Sequence, residues 1–127
     1  MIGSVAFSRD GRLLASANSN GVVNIWNVSE RQVPYPIRLS GHRDAVEDVA
    51  FSPIADVLAS ASDDGTVMLW DAATGNYIET IRPQAGRIHA VAFSRDGRLL
   101  VGGSNGALLL YDVPKVGDLA GNAIEAR

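Results

Sequence analysis

The ten residues Val5 to Leu14, V-A-F-S-R-D-G-R-L-L, recur unchanged as Val91 to Leu100, and V-A-F-S appears between them at Val49 to Ser52. The spacings are 44 and then 42 residues. One structural unit is therefore written three times, at a period typical of stacked supersecondary units. Such a unit does not bury its apolar faces alone; each copy packs on its neighbours.

The middle copy reads most completely. Val46 to Ser52 alternates as a half-buried strand, with Val49 and Phe51 on one face. Ser52-Pro53-Ile54-Ala55-Asp56 is a turn, replaced in the outer copies by Arg9-Asp10-Gly11 and Arg95-Asp96-Gly97, where Asp-Gly supplies the positive φ of a tight hairpin. A small-residue strand, Val57 to Ser62, leads to the turn Asp63-Asp64-Gly65 and a strand rich in β-formers, Thr66 to Trp70. Asp71 to Gly75 turns again before a fourth strand, Tyr77 to Ile81. Four short antiparallel strands with no helical periodicity make an all-β meander.

The first copy repeats this course as Ile2 to Phe7, Leu13 to Ala17, Val22 to Trp26 and Ile37 to Leu39. The third supplies Ile88 to Phe93, Leu99 to Gly103 and Ala107 to Tyr111. From the aromatic that closes strand one to the glycine of the second turn there are 14, 14 and 13 residues. From that glycine to the aromatic of strand three there are five residues every time. The units span about residues 1–40, 41–82 and 83–112, followed by a tail at 113–127.

Composition narrows the chemistry. With 46% hydrophobic and 20% charged residues, the 127-residue chain has enough apolar content for a packed core. A net charge of −3 offers no electrostatic footprint for nucleic acid. There is no cysteine, so disulfides, thiolate catalysis and cysteine metal sites are excluded. The two histidines, His42 and His89, are too few for a metal site of the usual spacing, and nothing beside His89 in the sequence completes one. Neither a membrane span nor a signal peptide is evident, so a cytoplasmic setting is the expectation and no cofactor is expected. Asn27-Val28-Ser29 fits a glycosylation acceptor pattern that has no meaning without secretion.

The middle unit carries Gly41-His42 before its first strand and Trp70-Asp71 at the end of its third. In this it closely resembles a WD-repeat (WD40) blade, and the resemblance covers about residues 2 to 112. It implies a partial β-propeller of about three four-stranded blades, used as a non-catalytic platform for protein or peptide partners. It also implies a hydrogen-bond network joining His42, Ser60 or Ser62, Asp64 and Trp70: the aspartate on one imidazole nitrogen, the serine on the other, and the indole N–H on the serine. The outer copies depart from it. The first has Asn20 and Trp26 but no histidine; the third has Gln84, Asn105 and Tyr111 in place of His42, Asp64 and Trp70.

A serine, a histidine and an aspartate also invite a hydrolase reading, with Ser60 or Ser62 as nucleophile and His42 as base. A triad is defined by roles, however, and a serine on a central strand facing a tryptophan lacks an exposed nucleophile's setting. The loops that share a rim with His42 and Asp64 offer candidate partner contacts: Asn18, Arg43, Asp44, Asp63, Arg87 and Asn105. Arg9, Arg12, Arg95 and Arg98 lie on the other rim among Asp10 and Asp96, and read as solvated turns.

Three blades do not close a propeller, whose rings usually have four to eight. Residues Pro114 to Arg127 carry Gly117, Gly121 and Asn122 where the middle unit has its fourth strand, so the last blade is expected to lack its outer strand. Leu108 to Leu110 would then form an unpaired apolar edge. The chain reads as part of a larger propeller or signalling protein. The alternatives are a small protein that closes a ring as a dimer or trimer, and a truncated product.

Overall fold

The computed structural model describes residues 1–29 and 35–113 and the backbone of 123–125. The described residues hold twelve strands and no helix. The first sheet comprises β1 (Ile2–Phe7), β2 (Leu13–Asn18), β3 (Val23–Asn27) and β4 (Ile37–Leu39). The second comprises β5 (Val46–Phe51), β6 (Val57–Ser62), β7 (Val67–Asp71) and β8 (Tyr77–Ile81). The third comprises β9 (Ile88–Phe93), β10 (Arg98–Gly103), β11 (Leu108–Asp112) and β12 (Ala123–Glu125). Each is an antiparallel meander in sequence order, and β1, β5 and β9 lie side by side.

The second hairpin turn is the most constant local feature. Gly21, Gly65 and Gly106 take φ of 88°, 88° and 87°, the left-handed region that a side chain at Cβ disfavours. The residue before each glycine, Asn20, Asp64 or Asn105, accepts a backbone N–H two positions ahead. These are Asx turns, and they set the register of strand three.

Blades pack through apolar faces. Ala15, Ala17, Val23 and Ile25 of blade one meet Val46, Val49, Leu58 and Trp70 of blade two. On its other side blade two presents Ala59, Ala61, Val67 and Leu69 to Ile88, Val91, Leu99 and Val101 of blade three. The alanines, all fully buried, let the sheets approach closely. Asp48 joins all three blades: Oδ1 accepts from Ser4 Oγ at 2.8 Å, and Oδ2 accepts the Val91 N–H at 3.1 Å.

The repeated decapeptide folds in two registers. In blade one Phe7 pairs with Leu14, as Phe51 pairs with Leu58 in blade two. In blade three Phe93 pairs with Leu99, one residue earlier. The first turn is closed by Ser8 N–H to Leu13 O in blade one, and by Ser94 N–H to Arg98 O in blade three. The 13-residue spacing is the cause: with one residue fewer before Gly106, the shortening falls in the first turn. A one-residue slip turns the β10 side chains to the opposite face from those of the same peptide in blade one, until the second turn restores the common register. Val101, fully buried, thus takes the place that Ser60 has in blade two.

One expectation needs correction. The third blade has an outer strand, although a short one: the backbone of Ala123–Glu125 pairs with β11, Leu110 opposite Ile124. It begins eleven positions after β11 ends, whereas β8 begins six after β7, so aligning the tail with Tyr77 to Ile81 misses it. Of the expected open edge, Leu109 and Leu110 are therefore paired, opposite Glu125 and Ile124.

Candidate functional site

His42 enters from the β4–β5 loop of blade two, with its imidazole only 1% exposed. Its Nδ1 lies 3.1 Å from Asp64 Oδ2 and its Nε2 lies 2.6 Å from Ser60 Oγ. Trp70 Nε1–H donates to the same Ser60 oxygen at 2.9 Å. Ser60 Oγ accepts from the indole, so its own proton is directed to Nε2, and Nδ1–H donates to Asp64. A neutral imidazole satisfies every atom of this chain.

The charge balance agrees. Burial lowers the His42 pKa below its ordinary 6.5, although Asp64 pulls the other way. For Asp64, burial pushes upward, but hydrogen bonds from Thr66, the Arg43 N–H and His42 outweigh it and hold the carboxyl below 3.8. The site is thus a carboxylate beside a neutral histidine.

Sequence reasoning overlooked Thr66. Its hydroxyl donates to Asp64 Oδ1 at 2.6 Å and lies 3.2 Å from His42 Nδ1, so it braces both partners. The available signal was a hydroxyl two residues after Asp64, where the other blades have Val22 and Ala107. Ser62 plays a different part from Ser60: its Oγ donates to the Asp44 carbonyl at 3.1 Å and accepts the Asp64 N–H at 3.1 Å. It fastens the loop rather than the imidazole. Both serines are fully buried.

The outer blades keep less. In blade one, Trp26 Nε1 lies 3.5 Å from Ser16 Oγ, the limit of a hydrogen bond. In blade three, Gln84 is exposed and carries a φ of 59°, an unfavourable conformation outside glycine and Asn/Asp. With Val101 and Tyr111 in the serine and tryptophan places, it has no chain of acceptors to join.

Arg43, Asp44, Arg87 and Asn105 are exposed on the His42 rim, while Asn18 and Asp63 are half-buried. Asn18 and Asn105 spend their Oδ1 atoms on backbone N–H groups of their own turns, from Asn20 and Ala107. On the opposite rim a groove of about 500 Å³ runs between blades one and two, lined by Arg9, Asp10, Phe51 and Ile54 among others. Arg9 is held there by the Pro53 carbonyl at 3.1 Å.

His89 corrects a further expectation, because partners for it do exist. Glu47, Asp63 and His89 each bring one ligand atom within 4.8 Å of the others, and among the described residues they are the set that could hold a cation. Asp63 Oδ1 is buried without a hydrogen-bond partner. Desolvation, then the charge of Asp63, raises the Glu47 pKa above 4.5, with His89 and Arg87 pulling it back. Glu47 and His89 are 42 residues apart, the same place in adjacent blades, and the repeat period itself was the signal.

Stacked four-stranded meanders with their first strands side by side, locked by a buried His–Asp–Ser–Trp chain, define a partial β-propeller of the repeat class. The family model for the WD domain, G-beta repeat (WD40), matches residues 2–27, 35–71 and 75–112. The chain belongs to the WD40 family, whose repeats generally serve as protein-interaction scaffolds.

Proposed function

We infer that this chain is a non-catalytic scaffold that binds other proteins or peptides through the rim carrying Arg43, Asp44, Asp63, Arg87 and Asn105. One observation carries the reading. The residue types a hydrolase would need are consumed internally, with Ser60 fully buried between the imidazole and the indole while charged side chains of the surrounding loops stand exposed. The acidic net charge favours protein over nucleic-acid partners. Among the described residues, no helix is long and apolar enough to cross a membrane. A cytoplasmic location is part of the proposal, and imaging of a tagged chain tests it.

Binding to peptides selected from a random displayed library tests the surface. Arg43→Glu with Arg87→Glu should abolish binding, and Arg95→Glu on the other rim should not. Equal loss from both changes would place the docking surface elsewhere. The enzyme reading makes the opposite demand: a broad serine-hydrolase probe would label the chain, and His42→Ala would abolish labelling. Such labelling would replace the scaffold reading.

A further inference from the structure

The two end faces of the blade stack are uncovered versions of interfaces the chain already builds twice. Val49 and Val91, each covered by the blade before it, are 3% and 6% exposed; Val5, at the same place in blade one, is 59% exposed. On the other side Val23 and Val67, each covered by the blade after it, are fully buried, while Leu108 is 43% exposed. Leu109, by contrast, turns towards blade two and packs on its core.

Backbone at the rims repeats the pattern. A Cβ added at Gly21 would lie 3.0 Å from the His42 carbonyl oxygen of the next blade, and one at Gly65 would lie 3.3 Å from the Gly86 carbonyl oxygen. At Gly106, which has the same φ, it would meet nothing within 4 Å. Gly97 abuts Ile54 of the preceding blade, whereas Gly11, in the identical peptide, also has open space. Blade three thus has a seat for a following blade, and blade one has a seat for a preceding blade.

We propose that these faces meet: blade three of one copy seats on blade one of a second copy, and two chains close a six-bladed ring. The occupant must present a sheet face of small and branched apolar residues at blade spacing, with a rim loop that fits over a glycine turn. The chain's own opposite end offers that face, and the two internal junctions show that the pairing works. Head-to-tail contacts either close or run on as filaments. Propellers usually have four to eight blades, and two copies of three is the only multiple within that range. The new junction lacks one element. Ala90 stands where Asp48 ties the internal junctions, so association should depend on concentration. The inference rests on the propeller fold and not on the partner-binding rim.

Sedimentation of the whole chain at micromolar concentration tests it. A species of twice the 13.4 kDa chain mass is expected. Val5→Lys and Leu108→Lys should each leave monomers with unchanged β circular dichroism, since both positions are exposed. Mixed in equal amounts, the two variants should recover a two-chain species, because each keeps the face the other has lost. Ile2→Lys and Leu108→Glu are second variants should either of the first pair misfold. A wild-type monomer would overturn the proposal and assign the faces to blades of a longer chain. A dimer abolished by Val5→Lys but untouched by Leu108→Lys would overturn it in favour of a face-to-face pair, and a ladder of larger species would overturn ring closure. Loss of peptide binding at the rim would leave all these readouts unchanged.

Discussion

Phe93 stands opposite Leu99 in blade three, one residue earlier than Phe7 meets Leu14 in the same ten-residue peptide of blade one. Because blades one and three flank blade two from opposite sides, the slip lets the same peptide position, Leu13 in one copy and Leu99 in the other, face the middle blade from both directions.

Leu99 is fully buried and Leu13 only partly so. Leu99→Ala should therefore cost about 2–5 kcal/mol of folding stability, the range for a core leucine, and Leu13→Ala clearly less. Urea unfolding of the two variants measures this. Equal losses would mean that the peptide takes one register in both places.

The middle blade's lock makes its loss expensive. His42→Ala strands Asp64 and Ser60 in a buried setting and should cost about 1–3 kcal/mol. At the aligned place in blade three, Gln84→Gly should do the reverse, raising stability by up to about 1 kcal/mol by relieving the left-handed backbone. Denaturant midpoints distinguish the two, and a destabilised Gln84→Gly would show that its side chain holds something unseen.

Ser60 and Trp70 should be energetically coupled, and Ser16 and Trp26 much less so. A double-mutant cycle of Ser60→Ala with Trp70→Phe should give a coupling of at least about 0.5 kcal/mol. The matching cycle in blade one should fall near zero, given its 3.5 Å separation. Similar values in the two blades would contradict the distances.

Acid should weaken the fold in two stages. The His42 pKa is lowered on folding, so below about pH 6.5 the unfolded chain takes up a proton that the folded imidazole resists, and stability falls with pH. Asp64, whose pKa is also lowered, contributes fully above 3.8 and loses its contribution as pH falls beneath that value. Melting temperatures across this range should show both stages in the wild type. His42→Gln should lack the upper one, and its persistence in that variant would show that His42 is not its source.

The repeat period made the architecture readable, because spacing fixed the strands to within about a residue and placed His42, Asp64 and Trp70 in one blade. What spacing does not reveal is which of two buried serines reaches the imidazole; Ser60 and Ser62 share one face of β6, two residues apart, and only their position along the strand separates them. The 13-residue interval announced an irregularity in blade three without saying which turn would absorb it. Ala123–Glu125 escaped notice because three residues after a long glycine-bearing connection carry too little pattern. Thr66 was hidden for another reason. It has no counterpart in the other copies, and a comparison among repeats shows only what they share.

Asp48 sets a direction along the chain. Its carboxylate takes a hydroxyl from the unit before and an amide from the unit after. The corresponding residues, Ser4 and Ala90, offer no such acceptor. Near-copies in sequence are thus not interchangeable parts: a gene with its first and third units exchanged would keep every strand yet face Asp48 with Ala90 in place of the serine. Any rearrangement by duplication or shuffling has to preserve the neighbours of the middle unit, which makes it the fixed point from which the array can be extended at its ends.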